Sequence, residues 1–177
     1  MPWQYWWRRG GQALCLIMKT TTTSLLIIFL VVLDQISKIL ISSFLSLGES
    51  LNLLPFLNFT LIHNTGIAFS IFGGGGLISR WLLVAAVSGI LAYLLFQMYK
   101  KTPKHQLELI SLIFIISGGL GNLVDRVFLG YVVDFVHVFY QDYSFYVFNM
   151  ADSYITVGII LYLSYFFFIE RVKKTWK

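Results

Sequence analysis

The sequence has few charged residues and a single cysteine. Charged residues make up 12% of its 177 residues and hydrophobic residues 58%, whereas an ordinary soluble domain is roughly 25% charged. The shortage of charge excludes a water-soluble domain, and the many apolar residues exclude a disordered chain. Because Cys15 is alone, an internal disulfide and a metal site built from several thiolates are also excluded. The composition therefore predicts an integral membrane protein of one domain.

Four apolar stretches are long enough to cross a membrane, since about 20 residues span the roughly 30 Å of hydrocarbon. They predict an integral membrane α-helical fold with transmembrane helices at about residues 22–42, 80–99, 107–128 and 152–169. No charged residue follows Arg80 in the second stretch or Asp152 in the fourth, and only Asp34 and Lys38 interrupt the first.

The chain outside the spans is predicted to be short at both ends. Residues 22–170 form the four-span domain, 1–21 a cytoplasmic N-terminal extension and 171–177 a basic cytoplasmic tail. Within the extension, residues 1–17 are either an interfacial anchor or an over-long gene start, with translation beginning at Met18.

Lysine and arginine are absent from two stretches, about residues 43–79 and 129–151. Ten of the 13 basic residues lie before the first span, between the second and third, or after the fourth. Because basic residues favour the cytoplasmic side, both termini are predicted to be cytoplasmic and the two longer loops to face outward. The basic surplus marks topology, so no nucleic-acid partner is predicted.

Both outward loops carry apolar side chains. Residues 57–61 alternate between apolar and polar, which predicts a strand. Eight of the eighteen residues from Tyr131 to Phe148 are Phe or Tyr, and aromatic rings favour the headgroup region. We expect both loops to lie on the outer membrane surface, although an ordinary aromatic belt would have the same composition.

Ionisable residues inside spans are costly and are functional candidates. Asp34 and Lys38 are four residues apart on one helix face, where they can pair. Asn122, Asp125 and Arg126 form one polar face of the third span, where Arg126 is placed to neutralise Asp125. A purely structural ion network is the alternative for both groups.

Asp134 and Asp152 have no basic residue within seven positions. The predicted topology places both at the outer membrane surface, where a loop of this length could bring them together. Two carboxylates in a poorly hydrated site share one proton, which is the arrangement of aspartic proteases and needs neither metal nor cofactor. The alternative for Asp152 is the N-cap of the fourth helix.

Other chemistries have weaker support. The three histidines are scattered, so no metal site is predicted, and no serine lies in a GxSxG elbow. The Gly-Gly-Leu-Gly run at residues 118–121 lies inside a span and predicts close helix packing.

Four sequence blocks in order now point to a known family. They are DQISK at 34–38, NTGIAFS at 64–70, GGLGNLVDRVFLGYVVDF at 118–135 and FNMADSYITVG at 148–158. With these blocks the chain resembles the bacterial lipoprotein signal peptidases (signal peptidase II), although residues 1–17 have no counterpart in the family pattern. The resemblance implies Asp134 and Asp152 as the catalytic dyad. It also implies a set of residues that shape the site or bind substrate: Asp34, Lys38, Asn64, Gly66, Asn122, Asp125, Arg126, Asn149 and Ala151.

The resemblance further implies a small outward-facing β-cradle and a surface arm on the four helices, in the bacterial inner membrane. The implied substrate is a prolipoprotein whose cysteine carries diacylglycerol, cleaved on the N-terminal side of that cysteine. Membrane lipid and globomycin-type inhibitors are expected to bind, no cofactor is expected, and a monomer suffices for a single dyad.

Two other functions are compatible with the residues alone. A small proton-coupled transporter would use Asp34, Asp125 and Asp134 as a relay through the membrane depth. A non-catalytic membrane scaffold would tolerate asparagine at both Asp134 and Asp152.

Overall fold

The computed structural model describes residues 3–66, 77–101 and 105–170. The helices are α1 (Trp3–Phe44), α2 (Leu77–Lys101), α3 (Gln106–Phe128) and α4 (Met150–Tyr165), and a π-helical turn, Phe166–Glu170, continues α4. The strands are β1 (Ser50–Leu54), β2 (Leu57–Asn64), β3 (Val132–Tyr140) and β4 (Tyr143–Ser144). The predicted tail at 171–177 and residues 67–70 of the second sequence block lie outside the described residues.

The four expected helices are present, each with a stretch long and apolar enough to cross a membrane. These stretches are Thr20–Phe44, Leu77–Lys100, Gln106–Phe128 and Met150–Phe168. In α3, 44% of the most apolar window is buried inside the protein, against 17% in each of the other three. The helix α3 is therefore the centre of the bundle, and the other three present most of their apolar side chains outward.

The predicted boundaries differ from the observed ones by a few residues. The helix α4 begins at Met150, two residues earlier than predicted, because Asn149 caps it. The helix α1 runs without a break through the expected boundary at residue 21, and the division of the chain into extension, domain and tail stays a prediction.

Glycines let α3 approach its neighbours closely. A Cβ at Gly118 would overlap the backbone oxygen of Ala151, and one at Gly121 would lie 2.6 Å from an Asp34 carboxylate oxygen. The interpretation of this glycine run as close helix packing is confirmed. At α4, a Cβ on Gly158 would lie 2.9 Å from the backbone oxygen of Ser111.

The two long loops between helices form one antiparallel sheet with the order β1-β2-β3-β4. The strand predicted at residues 57–61 is confirmed as part of β2. In the pairing of β2 with β3, Ile62 is opposite Asp134. Because alternate residues of a strand share a face, Asn64 lies on the same face as Ile62 and Asp134. One end of α1, of α3 and of α4 lies beside this sheet, and we call it the sheet end of the bundle.

We expect Gly118→Ala to lower the free energy of unfolding by about 1–3 kcal/mol, because the added methyl group overpacks the contact with α4. Gly89→Ala is the matched control, since a Cβ at this position in α2 meets nothing within 4 Å. Thermal unfolding of both variants in detergent measures the difference. Equal stabilities would contradict the close approach of the two helices.

Candidate active site

Asp134 and Asp152 meet at the sheet end of the bundle and share hydrogen-bond partners. Asp134 lies on β3 and is 1% exposed. Its carboxylate accepts hydrogen bonds from the side-chain amide of Asn64 at 2.8 Å and from that of Asn149 at 2.6 Å. Asp152 lies in the first turn of α4, and its carboxylate accepts from the Asn122 amide at 2.7 Å.

Asn149 connects the two acids through the end of α4. It is the N-cap of that helix, and its side-chain oxygen accepts from the backbone N–H of Asp152 at 2.9 Å. The Asp152 carboxylate accepts in turn from the backbone N–H of Asn149 at 3.3 Å, which completes a capping box. The prediction that Asp152 could be the N-cap is wrong, because the cap lies three residues earlier. Asn149 therefore holds both carboxylates at once, Asp134 by its amide and Asp152 by its backbone.

Burial, and less strongly the neighbouring charge of Asp152, raise the pKa of Asp134, which on balance is about 6. The hydrogen bonds from Asn64 and Asn149 and the charge of Lys38 act in the opposite direction, since they favour the ionised carboxylate. An acid of this pKa exchanges its proton near neutral pH, which suits it to acid–base chemistry.

A buried cluster of charges lies behind the two acids. The Lys38 ammonium forms salt bridges with Asp34 at 2.8 Å and with Asp125 at 2.9 Å, and it donates to the Asn122 side-chain oxygen at 3.1 Å. The predicted pairing of Asp34 with Lys38 is confirmed. Lys38 is only 2% exposed. An ammonium has three N–H donors, and these three contacts satisfy all of them.

Arg126 does not neutralise Asp125 as predicted. Asp125 pairs with Lys38, whereas Arg126 donates from Nη1 to the backbone oxygen of Asn122 at 3.2 Å. The physical reason is helix geometry, since consecutive residues point about 100° apart. The side chain of Arg126 lies within electrostatic range of Asp152, Asp134 and Asp125, but among the described residues it forms a salt bridge with none of them.

The two buried carboxylates of the cluster also fix the backbone beside each acid of the dyad. Asp34 accepts from the backbone N–H of Ala151 at 2.9 Å, which is the residue before Asp152. Asp125 accepts from the backbone N–H of Val133 at 3.1 Å, which is the residue before Asp134. Each acid of the dyad therefore follows a residue that a buried carboxylate holds in place.

Known proteins share this chain's sequence and fold. A family model described as signal peptidase (SPase) II matches residues 26–168. The chain belongs to the signal peptidase II family. The lipoprotein signal peptidase of Acinetobacter baumannii is 43% identical over 142 residues, 80% of this chain and 80% of that protein. A Coxiella burnetii lipoprotein signal peptidase is 41% identical over 139 residues, 77% of this chain and 83% of that protein.

Two solved bacterial membrane enzymes share the fold of this chain. Their structures, determined by the in meso method at 1.9 and 2.3 Å, align with TM-scores of 0.75 and 0.69, both at 31% identity. The alignments cover 84% and 88% of this chain and 94% and 90% of the two solved chains. The family expected from the four sequence blocks is therefore confirmed.

A cavity of about 530 Å³ opens beside Asp134. Asn64 and Gly66 line it, together with Tyr146, which is 85% exposed. The backbone N–H of Gly66 donates to the Asn64 side-chain oxygen at 2.8 Å, which turns the amide nitrogen toward Asp134. Gly66 has a φ of +88°, a conformation that glycine adopts without strain.

Two residues of the site carried no predicted role. Gln35 donates to the Asp125 carboxylate at 3.0 Å and to the backbone oxygen of Gly121 at 3.1 Å. Arg80 donates to the backbone oxygens of Arg126 and Val127 at 2.8 and 2.6 Å, so it caps the end of α3. Two sequence features could have indicated these residues. Gln35 lies inside the DQISK block, and Arg80 is the cation at the edge of the second span.

Lys38→Met should lower the free energy of unfolding by about 3–5 kcal/mol, because it leaves two buried carboxylates without their counter-charge. Lys100→Met is the matched control, since that lysine is exposed and its Nζ lies 4.8 Å from the centroid of the Phe96 ring. Thermal unfolding in detergent followed by tryptophan fluorescence compares the variants. An unchanged Lys38→Met protein would show that the cluster does not support the fold.

Proposed function

We propose that this protease removes the signal peptide from diacylglyceryl-modified bacterial prolipoproteins, with Asp134 and Asp152 as an aspartic catalytic dyad. The observation that carries the proposal is that Asn149 contacts both carboxylates, one from β3 and one from α4. The names of its lipoprotein signal peptidase relatives supply the substrate class. Cleavage is proposed on the N-terminal side of the lipid-bearing cysteine.

The dyad can carry out hydrolysis with one proton between the two carboxylates. The ionised aspartate removes a proton from water, and the resulting oxygen nucleophile attacks the scissile carbonyl. The protonated aspartate donates a hydrogen bond to that carbonyl oxygen and stabilises its developing charge. The proton taken from water then passes to the leaving nitrogen as the C–N bond breaks.

The supporting residues are proposed to position rather than to react. Asn64, Asn122 and Asn149 donate amide hydrogens to the dyad. Asparagine donates hydrogen bonds but carries no charge. These contacts therefore hold the two carboxylates without neutralising their charge.

The position of the dyad suits a substrate that a lipid anchors in the membrane. Asp134 and Asp152 lie at the sheet end, where three helices and two long loops meet. We propose that this end faces outward from the bacterial inner membrane and that both termini are cytoplasmic, because ten of the 13 basic residues lie in the sequence before the first span, between the second and third, or after the fourth. A diacylglyceryl group held in the outer leaflet would then bring the scissile bond to the depth of the dyad, and a monomer supplies the whole site.

The transporter alternative is not supported. A proton relay needs acids distributed through the membrane depth, whereas Asp34 and Asp125 share the ammonium of Lys38 close to the dyad. The family comparison also favours a protease.

Asp134→Asn and Asp152→Asn should each reduce kcat by about 10²–10⁴-fold, because each removes one partner of the acid–base pair without changing its shape. The measurement is gel-shift cleavage of a diacylglyceryl-modified prolipoprotein in detergent. Asp142→Asn, which removes an exposed carboxylate at the turn between β3 and β4, is the matched control and should retain full activity.

The same assay tests the aspartic class and the inhibitor. Cleavage by the unmodified chain should persist in a metal chelator and stop when globomycin is added. Full activity of Asp134→Asn or Asp152→Asn would rule out the dyad. Activity that resists globomycin would contradict the proposed inhibitor binding alone.

Asn64→Ala should shift the pH limb of kcat that Asp134 governs to higher pH. Its amide favours the ionised carboxylate, so its loss raises the pKa of Asp134 above its value of about 6. The matched control is Asn58→Ala on the same strand, whose side-chain oxygen has no hydrogen-bond partner among the described residues. A pH profile of kcat that both variants leave unchanged would contradict the assigned contact.

A further inference from the structure

A second groove lies at the end of the bundle opposite the sheet. The helices α2 and α4 both pack against α3 but not extensively against each other, which leaves an open cavity of about 370 Å³. Tyr93 and Gln97 of α2 form one wall, and Tyr162 of α4 forms the other. The floor includes Glu108 and Ile115 of α3.

The face of α3 that forms the floor of this groove continues along the helix to the level of the dyad. Glu108, Ile115 and Asn122 follow each other at intervals of seven residues, which is close to two helical turns, so they lie on one face. Asn122 donates to Asp152 at 2.7 Å. Fourteen residues of helix separate Glu108 from Asn122, a rise of about 21 Å.

Glu108 gives this groove a negative charge at its far end. Its side chain is half-buried in the first turn of α3. Among the residues that the structure describes, the salt bridges are those of Lys38, so the Glu108 carboxylate is in none. In the sequence, Lys100 and Lys101 end α2, and Lys104 precedes α3.

The dimensions and charge of the groove match the parts of a signal peptide. A signal peptide begins with a positively charged segment, followed by an apolar segment of about 7–15 residues. As a helix, 14 residues are about 21 Å long, which equals the rise between Glu108 and Asn122. The positive segment of a peptide held at the dyad would therefore reach the depth of Glu108.

We propose that the groove between α2 and α4 holds the apolar helix of the signal peptide and that Glu108 binds a lysine or arginine of its positive segment. The proposal rests on the proposed function, because it names a specificity-determining contact for the same substrate. Binding at Glu108 would then favour substrates in which the positive segment and the cleaved bond are separated by about the length of this groove. A neutral or acidic segment loses this contact.

Glu108→Gln should raise KM about tenfold for a prolipoprotein with a lysine-containing N-terminal segment, since a charge-assisted hydrogen bond is lost. The kcat should not change, because the dyad is untouched. A second substrate, in which glutamine replaces those lysines and the apolar segment is the same, should show equal KM values for Glu108→Gln and the unmodified enzyme. Asp142→Asn is the matched control for loss of a negative charge and should leave both KM values unchanged.

Charge reversal separates recognition from a structural role of Glu108 at the start of α3. Glu108→Lys should cleave a substrate whose lysines are changed to glutamate with a lower KM than it shows for the lysine substrate. An equal change in KM for the lysine and glutamine substrates, or no change for either, would overturn the proposal. A wrong proposed function is distinguishable, because it would appear as cleavage by Asp152→Asn whatever the N-terminal segment.

Discussion

The buried ammonium of Lys38 is the interaction on which the rest of the site depends. It pairs with Asp34 of its own helix at 2.8 Å and joins α1 to α3 through the salt bridge with Asp125 at 2.9 Å. A charge at this depth is costly unless it is paired and hydrogen-bonded. Since the two carboxylates also accept from the backbone N–H groups of Ala151 and Val133, the ion cluster fixes the chain immediately before each acid of the dyad. Stability and positioning thus come from the same three charges.

Close helix packing makes this ion cluster possible. The Asp34 carboxylate lies against Gly121, where a side chain would leave no room for it. The neighbouring Gly118 lies against the backbone of α4 at Ala151, where a side chain would also leave no room. Small residues therefore bring α1 and α4 within hydrogen-bond distance of α3, and polar groups in the membrane find partners that the lipid cannot provide.

The sheet brings together parts of the chain that the helices keep apart. β2 follows α1 and β3 follows α3, and their pairing places the Asn64 amide 2.8 Å from Asp134. Asn149 completes the connection, because it caps α4 and contacts Asp134 by the same side chain. One capping residue thereby couples the start of a helix to the protonation of an acid on a strand. This contact requires the start of α4 and the strand β3 to lie side by side, which they do at the sheet end.

The sequence by itself determined the class of protein, the four spans and the family. The length of an apolar stretch and the placement of charges are local properties, so they can be read without a structure. The four sequence blocks in turn pointed to the acids of the dyad as candidates. The strand at residues 57–61 was also predictable, because alternation of apolar and polar residues is a local pattern.

Only the tertiary structure decided which polar groups are partners. The sequence placed Arg126 beside Asp125, yet the structure pairs that acid with Lys38 of another helix, because the rotation of each helix and the crossing of α1 over α3 set the partners. The contact of Asn149 with Asp134 and the groove between α2 and α4 likewise depend on how the helices pack. Contacts between distant parts of the chain arise from packing geometry, which no local pattern in the sequence specifies.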